Sequence, residues 1–328
     1  MMTIPHQITR PRLLMTGIPP DNVKVYAQNF FELTIWQEPT PIGPQLLDRV
    51  ANMDALVVMP GDRLDAATIA ALPSSVKVLG TYSVGTDHID LQAATAKNLR
   101  VFHTPDVLTE AVADLALFLI IAAARDTTSA EKTLRDGRWG RWAPTSMLGR
   151  SLQGLRLGIF GMGRIGQAIA TRARPFGMSI HYHNRSMLAP DQAKGASYHA
   201  TLDALMACSD VLCICAPSAP ELKGVINTHR LALLPQNAIL VNVARGDLVD
   251  EEALFAHMSS GHLSGIAMDV FRNEPNIDPR WLALPHTTLL PHIGSATHEV
   301  RSAMGTLVVD GVASHFGLGR GGHCANPA

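Results

Sequence analysis

The chain has 328 residues, 47% hydrophobic and 17% charged, with 27 Lys and Arg against 28 Asp and Glu. That much apolar surface excludes a disordered chain, and at roughly 150 residues per domain the length suggests two domains. A near-zero net charge with no basic stripe argues against a nucleic-acid partner.

In chain order, Met1–Arg12 sets Thr3, Pro5, His6 and Gln7 where a secretory leader needs an apolar core, so a cytoplasmic location is expected. Short β-rich runs follow at Arg12–Thr16, Leu33–Trp36, Ala55–Met59, Lys77–Thr81 and Arg100–His103, with helical stretches such as Asp65–Ala71 and Leu91–Lys97 among them. A long helix is predicted over Ala111–Arg125 with Thr109 as its N-cap. Its apolar run, Leu115–Ala124, is ten residues. A membrane-spanning helix needs about 20, so this one reads as buried and no membrane partner is expected. A second series of strands is predicted at Leu155–Phe160, Ser179–His183, Val211–Ala216, Ala238–Val243, Ser264–Val270 and Thr287–Leu290, then a helix over Thr297–Phe316 and a mobile tail, Gly317–Ala328. Runs this continuously apolar suit strands covered by helices on both faces. The expected fold class is therefore α/β, with two doubly wound parallel sheets. If the last helix returns to the first sheet, the N-terminal domain is discontinuous.

Gly161-Met162-Gly163-Arg164-Ile165-Gly166 is a GxGxxG run between a predicted strand and a predicted helix, the context in which it cradles a dinucleotide. Gly161 permits the tight turn, Gly163 lets the backbone approach a pyrophosphate, and Gly166 lets helix and strand pack closely. The predicted helix Ile165–Phe176 follows, and Arg164 and Ile165 at its start are counted with the cofactor contacts, since its N-terminus would face the phosphates. An NAD site usually carries Asp or Glu at the end of the next strand. Here that strand ends in Asn184-Arg185-Ser186, with no carboxylate before Asp191. Arg185 would pair with a 2′-phosphate, and Asn184 and Ser186 could donate to it. The expected cofactor is NADP(H), with NAD(H) the weaker alternative. Val243, at the end of its strand, is counted with the cofactor contacts.

In open α/β sheets the chemistry lies beyond the carboxyl ends of the strands. Three such ends deliver Arg245, then Asp269 with Glu274 in the following loop, and then His292. Arg245 can hold a carboxylate with its two-pronged guanidinium and polarise an adjacent carbonyl. An imidazole titrates near neutrality, so His292 can move the proton on that carbonyl oxygen. Glu274 can bond the far ring nitrogen, orient the ring and favour its protonated form. His286 precedes its strand, at the wrong end of the sheet. Cys208, Cys213, Cys215 and Cys324 show neither a zinc spacing nor a disulfide framework and are expected reduced. His181 and His183 share one strand face, but no further ligands are legible and no metal is expected.

Val241-Asn-Val-Ala-Arg245-Gly246, Asp269-Val-Phe-Arg-Asn-Glu274-Pro275, Pro291-His292-Ile-Gly-Ser-Ala, the glycine turn and Tyr82-Ser-Val84-Gly85-Thr-Asp-His-Ile-Asp90 together resemble the D-isomer-specific 2-hydroxyacid dehydrogenases. The resemblance runs from about residue 50 to about 310. It implies a Rossmann cofactor domain at 105–292, a flavodoxin-like substrate domain from 1–104 and 293–328, and a homodimer. By that likeness Arg245 binds substrate, Glu274 tunes the histidine and His292 is the acid/base. Val84 and Gly85 would offer backbone N–H groups to the substrate carboxylate, Asp269 would contact the nicotinamide amide, and Pro217 would line the adenine pocket. Thr109 and Asp114 match a threonine-rich joint near the nicotinamide. Within the family, Trp139-Gly-Arg-Trp142-Ala-Pro144 and Asn184-Arg185-Ser186 resemble NADPH-dependent glyoxylate/hydroxypyruvate reductases, and some 2-ketogluconate reductases are similar. Trp139 and Trp142 read equally as surface-helix packing or as a substrate gate across a dimer. Cys215-Ala216-Pro217 departs from the family's usual His-Xaa-Pro, and His103 stands where Asn is common. Met59, at a strand end, would limit substrate size and favour glyoxylate and hydroxypyruvate. A dinucleotide-sensing corepressor of the same fold is the reading from another class.

Overall fold

The computed structural model describes residues 10–38 and 43–327. Of the segment read for a leader, residues 1–9 lie outside the described residues, as does Ala328 of the tail. The elements are β1 (Arg12–Met15), α1 (Asp21–Gln28), β2 (Glu32–Ile35), α2 (Leu46–Val50), β3 (Ala55–Val58), α3 (Ala66–Ala71), β4 (Val78–Thr81), α4 (Leu91–Ala96), β5 (Arg100–His103), α5 (Thr109–Arg125) and α6 (Thr127–Arg135). They continue with β6 (Arg156–Phe160), α7 (Arg164–Ala173), β7 (Ser179–His183), α8 (Pro190–Ala193), β8 (Ser197–Tyr198), α9 (Leu202–Cys208), β9 (Val211–Ile214) and α10 (Thr228–Leu233). The chain ends with β10 (Ala238–Asn242), α11 (Glu251–Ser259), β11 (Leu263–Met268), α12 (Arg280–Ala283), β12 (Thr287–Leu289), α13 (His298–His315) and β13 (His323–Cys324).

Two compact units result, residues 1–108 with 296–328, and residues 109–295. The joints thus fall a few residues beyond 104 and 292, and Thr109 is the first residue of α5 rather than the cap before it.

In the first unit the strand order is β13-β5-β4-β3-β1-β2. Without β13 this is an all-parallel flavodoxin-like order. β1, β3 and β4 are buried on both faces, which is why their sequences run continuously apolar rather than alternating. Helix α13, capped by the Thr297 side chain, returns to this sheet. A Cβ on Gly80 of β4 would stand 2.7 Å from Val308 and 2.9 Å from Val312, so the helix lies directly on the strand. The tail is not the mobile segment its glycines suggested. His323 and Cys324 pair antiparallel with His103 and Phe102. Asn326 then accepts from Val101 N at 2.8 Å and donates to Leu99 O at 2.9 Å. The exposed edge of β5 offers backbone groups that need partners, and the tail supplies them.

In the second unit the order is β12-β11-β10-β9-β6-β7-β8, all parallel. The chain winds outward from β6 through β7 to β8, then crosses to β9 and winds the other way. The reversal between β6 and β9 is the switch point at which a Rossmann sheet opens a crevice beyond its strand ends. β9 and β10 are fully buried. Helix α5 buries Leu119 and Ile120 completely but leaves Phe118 half exposed, so its apolar run is covered on all but one face. Trp139 and Trp142 lie in an irregular stretch after α6, not on a helix, and both are exposed. Among the described residues no helix is long and apolar enough to cross a membrane.

Candidate active site

Each glycine of the turn between β6 and α7 has a distinct steric reason. Gly161 has φ +98°, and a Cβ there would sit 2.5 Å from Ala216 N. On Gly166 a Cβ would meet the Gly161 carbonyl oxygen at 2.5 Å, so any side chain would lift the helix from the strand. Around Gly163 nothing lies within 4 Å of the built position. Open space at the residue before a ten-residue helix, whose N-terminus is the positive end of its dipole and has no side-chain cap, fits a pyrophosphate. Arg164 is exposed and Ile165 half-buried at the start of that helix.

The turn is braced from β7. Gly161 N donates to His183 O at 3.1 Å, and Met162 N donates to Asn184 Oδ1 at 2.6 Å. Asn184, expected to donate to the cofactor, therefore spends its amide oxygen on the loop. The register that pairs Phe160 with His183 puts residue 184 alongside the turn. Arg185 and Ser186 follow it and are exposed. Pro217 is exposed beyond β9, and Val243 is half-buried beyond β10.

The adjacent strands β10, β11 and β12 carry the other groups at the same sheet rim. Asn242, fully buried at the end of β10, accepts from Ala244 N at 3.0 Å and donates to Arg245 O at 2.8 Å. It sets the loop from which the half-buried Arg245 extends, with Nη1 donating to Ala244 O at 2.8 Å. The sequence reading missed Asn242; a buried amide at a strand end, within a quoted motif, was the signal. A Cβ on Gly246 would come 2.0 Å from the Phe271 carbonyl carbon. The arginine loop is thus seated on the backbone of the loop that carries Glu274.

That second loop is anchored by the fully buried Trp281, whose ring packs edge-on to Phe271 at 5.6 Å and whose Nε1 donates to Glu251 at 3.1 Å. Glu274 divides its carboxylate. Oε1 accepts from Phe271 N at 2.6 Å, and Oε2 lies 2.6 Å from His292 Nδ1. A contact this short is a charge-assisted hydrogen bond. It fixes the ring and leaves Nε2 as the atom that can exchange a proton with a ligand.

His292 has φ +53°, a left-handed conformation that costs a non-glycine residue energy and persists only when surroundings enforce it. Asp269, 1% exposed, enforces it. Its backbone oxygen accepts from His292 N at 2.8 Å, and its carboxylate accepts from Ile293 N at 2.7 Å and Gly294 N at 2.8 Å. Burial pushes the Asp269 carboxyl above its ordinary value, with Glu274 adding to the rise, while the Ile293 and Gly294 N–H groups and His292 pull the other way. Expected as a nicotinamide contact, Asp269 is first of all the clamp that holds the histidine loop. Asp114 is likewise engaged: its carboxylate takes Arg172 Nε at 2.5 Å, while Glu110 takes Nη2 at 2.7 Å. His286 sits before β12 with Nδ1 2.8 Å from Asp126, away from the rim.

In the first unit, Val84 O accepts from His103 Nδ1 at 2.9 Å and Gly85 O accepts from Ser83 Oγ at 2.6 Å. The Val84 carbonyl shares its peptide plane with Gly85 N–H, and Ser83 O, which shares a plane with Val84 N–H, accepts from Thr104 N at 2.9 Å. Both N–H groups are thereby fixed, which gives His103 a role its sequence position did not disclose. Beneath them Thr81 Oγ1 lies 2.7 Å from Ser83 Oγ and 2.9 Å from His88 Nε2. Met59 N donates to Asp62 at 2.8 Å, and the Met59 side chain covers Gly17, where a Cβ would be 2.7 Å from Met59 Cγ.

An all-parallel sheet with a pyrophosphate turn at its switch point and a histidine–glutamate pair beside an arginine at its rim defines a dinucleotide-dependent oxidoreductase. Residues 117–294 match the family described as D-isomer specific 2-hydroxyacid dehydrogenase, NAD binding domain. The chain belongs to that family. It is 39% identical over 304 residues to a glyoxylate reductase of Thermococcus onnurineus, covering 91% of each chain. It is 34% identical to a glycerate dehydrogenase of Hyphomicrobium methylovorum, covering 94% of this chain and 97% of that one. An NADPH-dependent glyoxylate/hydroxypyruvate reductase of Sinorhizobium meliloti, solved with NADP and malonate, superposes with a TM-score of 0.83 at 34% identity, covering 98% of this chain and 97% of that one. The protein is thus an oxidoreductase of the 2-hydroxyacid dehydrogenase type that uses a nicotinamide dinucleotide.

Proposed function

We propose that this protein reduces small 2-oxo acids, glyoxylate and hydroxypyruvate foremost, to the corresponding 2-hydroxy acids with NADPH. The observation that carries the reading is the 2.6 Å His292–Glu274 pair at the rim that also bears Arg245. When bound, a nicotinamide coenzyme would supply the hydride for the carbonyl carbon. Arg245 binds the substrate carboxylate and draws charge from the carbonyl oxygen. Protonated His292 gives its Nε2 proton to that oxygen as charge develops there, and Glu274 stabilises the ring while it is cationic. One proton is consumed per turnover, so His292 is reloaded from solvent. Val84 and Gly85 N–H groups are assigned to a substrate carboxylate, and Met59 to the substrate's side-chain limit.

For the coenzyme, Gly161, Gly163, Arg164, Ile165 and Gly166 would hold the pyrophosphate, Pro217 and Val243 would line the adenosine and nicotinamide sides, and Asp269 would contact the carboxamide. Arg185 and Ser186 take the 2′-phosphate. NADPH is favoured because the exit of β7 offers a guanidinium and a hydroxyl and no carboxylate, and the Sinorhizobium meliloti relative is named as NADPH-dependent. The exposed Phe118, Trp139, Trp142 and Leu148 fit assembly as a homodimer.

The test is coenzyme oxidation with a panel of glyoxylate, hydroxypyruvate and 2-ketogluconate, each with NADPH and with NADH. Highest kcat/KM for one of the two smaller acids with NADPH is expected. Preference for 2-ketogluconate, or for NADH, would replace the substrate or the coenzyme named here. Failure to oxidise either coenzyme with any 2-oxo acid would remove the enzymatic reading.

A further inference from the structure

The sequence offered His181 and His183 on one face of β7 with no third ligand in sight. The fold of the second unit supplies two from other elements. His199, just after β8, places Nε2 3.0 Å from His181 Nδ1. Cys208, the last residue of α9, places Sγ 3.4 Å from the same Nε2. The three ligand atoms all lie within 4.8 Å of one another, and all three residues are half-buried. His183 is not a member. Its Nδ1 donates to His199 O at 2.8 Å and so fixes the backbone that presents the third residue.

We propose that His181, His199 and Cys208 bind one divalent ion of the zinc class, with a fourth position left to solvent. Two imidazoles and a thiolate are the donor set that zinc takes. Tetrahedral zinc, with bonds of about 2.0–2.1 Å to nitrogen and about 2.3 Å to sulfur, needs ligand atoms about 3.3–3.6 Å apart. The 3.4 Å separation between His199 Nε2 and the Cys208 sulfur already matches, the 3.0 Å between the ring nitrogens has to open by about 0.3 Å, and the third closes if the thiol swings inward by no more than about 1.5 Å. Without an ion the arrangement is poorly satisfied. His199 Nε2 has either one proton or one lone pair, yet it faces both a ring nitrogen and a sulfur. An ion between the three would replace this competition with three bonds.

The surroundings fit as well. A metal on His181 Nδ1 leaves Nε2–H to donate to Ser179 Oγ, 3.4 Å away, the kind of outer partner that orients a ligating histidine. The neighbouring Arg156 guanidinium is held by both oxygens of Asp210, at 2.9 and 3.0 Å, so its charge is offset beside the site. The Cys208 thiol gives up its bond to Leu205 O, at 3.2 Å, when it loses its proton to bind.

His181 pairs with Gly158, in mid-strand, and Ser179 with Arg156 at the strand starts. Cys208 leads into Ser209 and Asp210, which also abut the start of β6. The site therefore lies on the α9 face of the sheet toward the ends opposite the Gly161 turn. Its ion would fasten β7, the residue after β8 and α9 to one another, and would take no part in hydride or proton transfer.

The experiment is a titration of the reduced, metal-stripped full-length protein with cobalt(II) chloride. Saturation at one equivalent is expected, with the visible absorption of tetrahedral cobalt and a near-ultraviolet thiolate-to-cobalt band, both bleached by zinc. Cys208→Ser should abolish the thiolate band, and Cys215→Ser should leave it. His181→Gln, a milder change, should keep the band and weaken cobalt binding at least tenfold. Zinc at a hundred times its Kd should raise the thermal midpoint of the unaltered protein by about 5–10 °C and leave that of Cys208→Ser unmoved. Circular dichroism checks each variant's fold, and if Cys208→Ser does not fold, His181→Gln decides. The proposal is overturned by the absence of saturable cobalt absorption, by a thiolate band that survives Cys208→Ser or is lost in Cys215→Ser, or by unchanged cobalt affinity in His181→Gln.

Discussion

Two ends of the same sheet are built in opposite ways. At the β10–β12 rim nearly every polar atom is committed: Asn242 to the Arg245 loop, Asp269 to the backbone of residues 292–294, and Glu274 to Phe271 N and to the imidazole. At the exit of β7, Asn184 braces the turn, while Arg185 and Ser186 are exposed. The difference teaches where geometry has to be fixed in advance. Proton and hydride transfer tolerate little misplacement, so the reacting groups are clamped. Under the proposed use of NADPH, recognition of a 2′-phosphate would need only charge within reach, so the residues assigned to it can sit on a loop.

The contrast can be broken by substitution. Arg245→Ala should lower kcat/KM for a 2-oxo acid about 10²–10³-fold, raising KM and lowering kcat together, because the side chain serves both carboxylate and carbonyl. Steady-state kinetics with unaltered constants would remove it from the site. Glu274→Gln should lower kcat about 10²-fold with little change in KM, since the ring loses its orienting acceptor and the stabilisation of its cationic form. An unchanged kcat would reduce Glu274 to a structural role.

Asn242→Ala touches no ligand and should still cost about tenfold in kcat/KM. It should also lower unfolding stability by about 1–3 kcal/mol, because buried backbone groups lose their partner. Chemical denaturation showing full stability would mean that the loop is held by other means. Arg185→Ala should have the smallest reach. It should weaken NADPH binding about tenfold and leave NADH binding, kcat and stability nearly untouched, as for an exposed charge that meets only the phosphate. Equal losses for both coenzymes would place Arg185 elsewhere in the binding scheme. If Arg185→Ala destabilised the protein as much as Asn242→Ala, the contrast itself would fail.

Much of this was legible in the chain. Continuous apolar runs gave the strands because both faces of each sheet are covered, and glycines at fixed offsets gave the turn because steric reasons for them are local. Arg245, Glu274 and His292 could be brought to one rim from the ends of the predicted strands alone, since chemistry in such sheets gathers at the carboxyl ends. What escaped depended on contacts between segments distant in sequence. The bracing of the turn by the Asn184 amide oxygen is invisible until the β6–β7 register sets it beside Met162. His103 has no legible purpose until β5 brings it to the Val84 carbonyl. The tail reads as mobile from its glycines, yet His323 and Cys324 find an open strand edge. His199 and Cys208 carry no spacing motif with His181, because the cluster is assembled by α9 lying across the sheet.

The most direct test of the central claim is NADPH oxidation by glyoxylate, followed at the coenzyme's absorbance, for the unaltered protein beside His292→Ala. The account predicts steady consumption by the former, a fall in turnover of about 10²–10⁴-fold in the latter, and equal NADPH affinity for both. Equal turnover by the two proteins would contradict it.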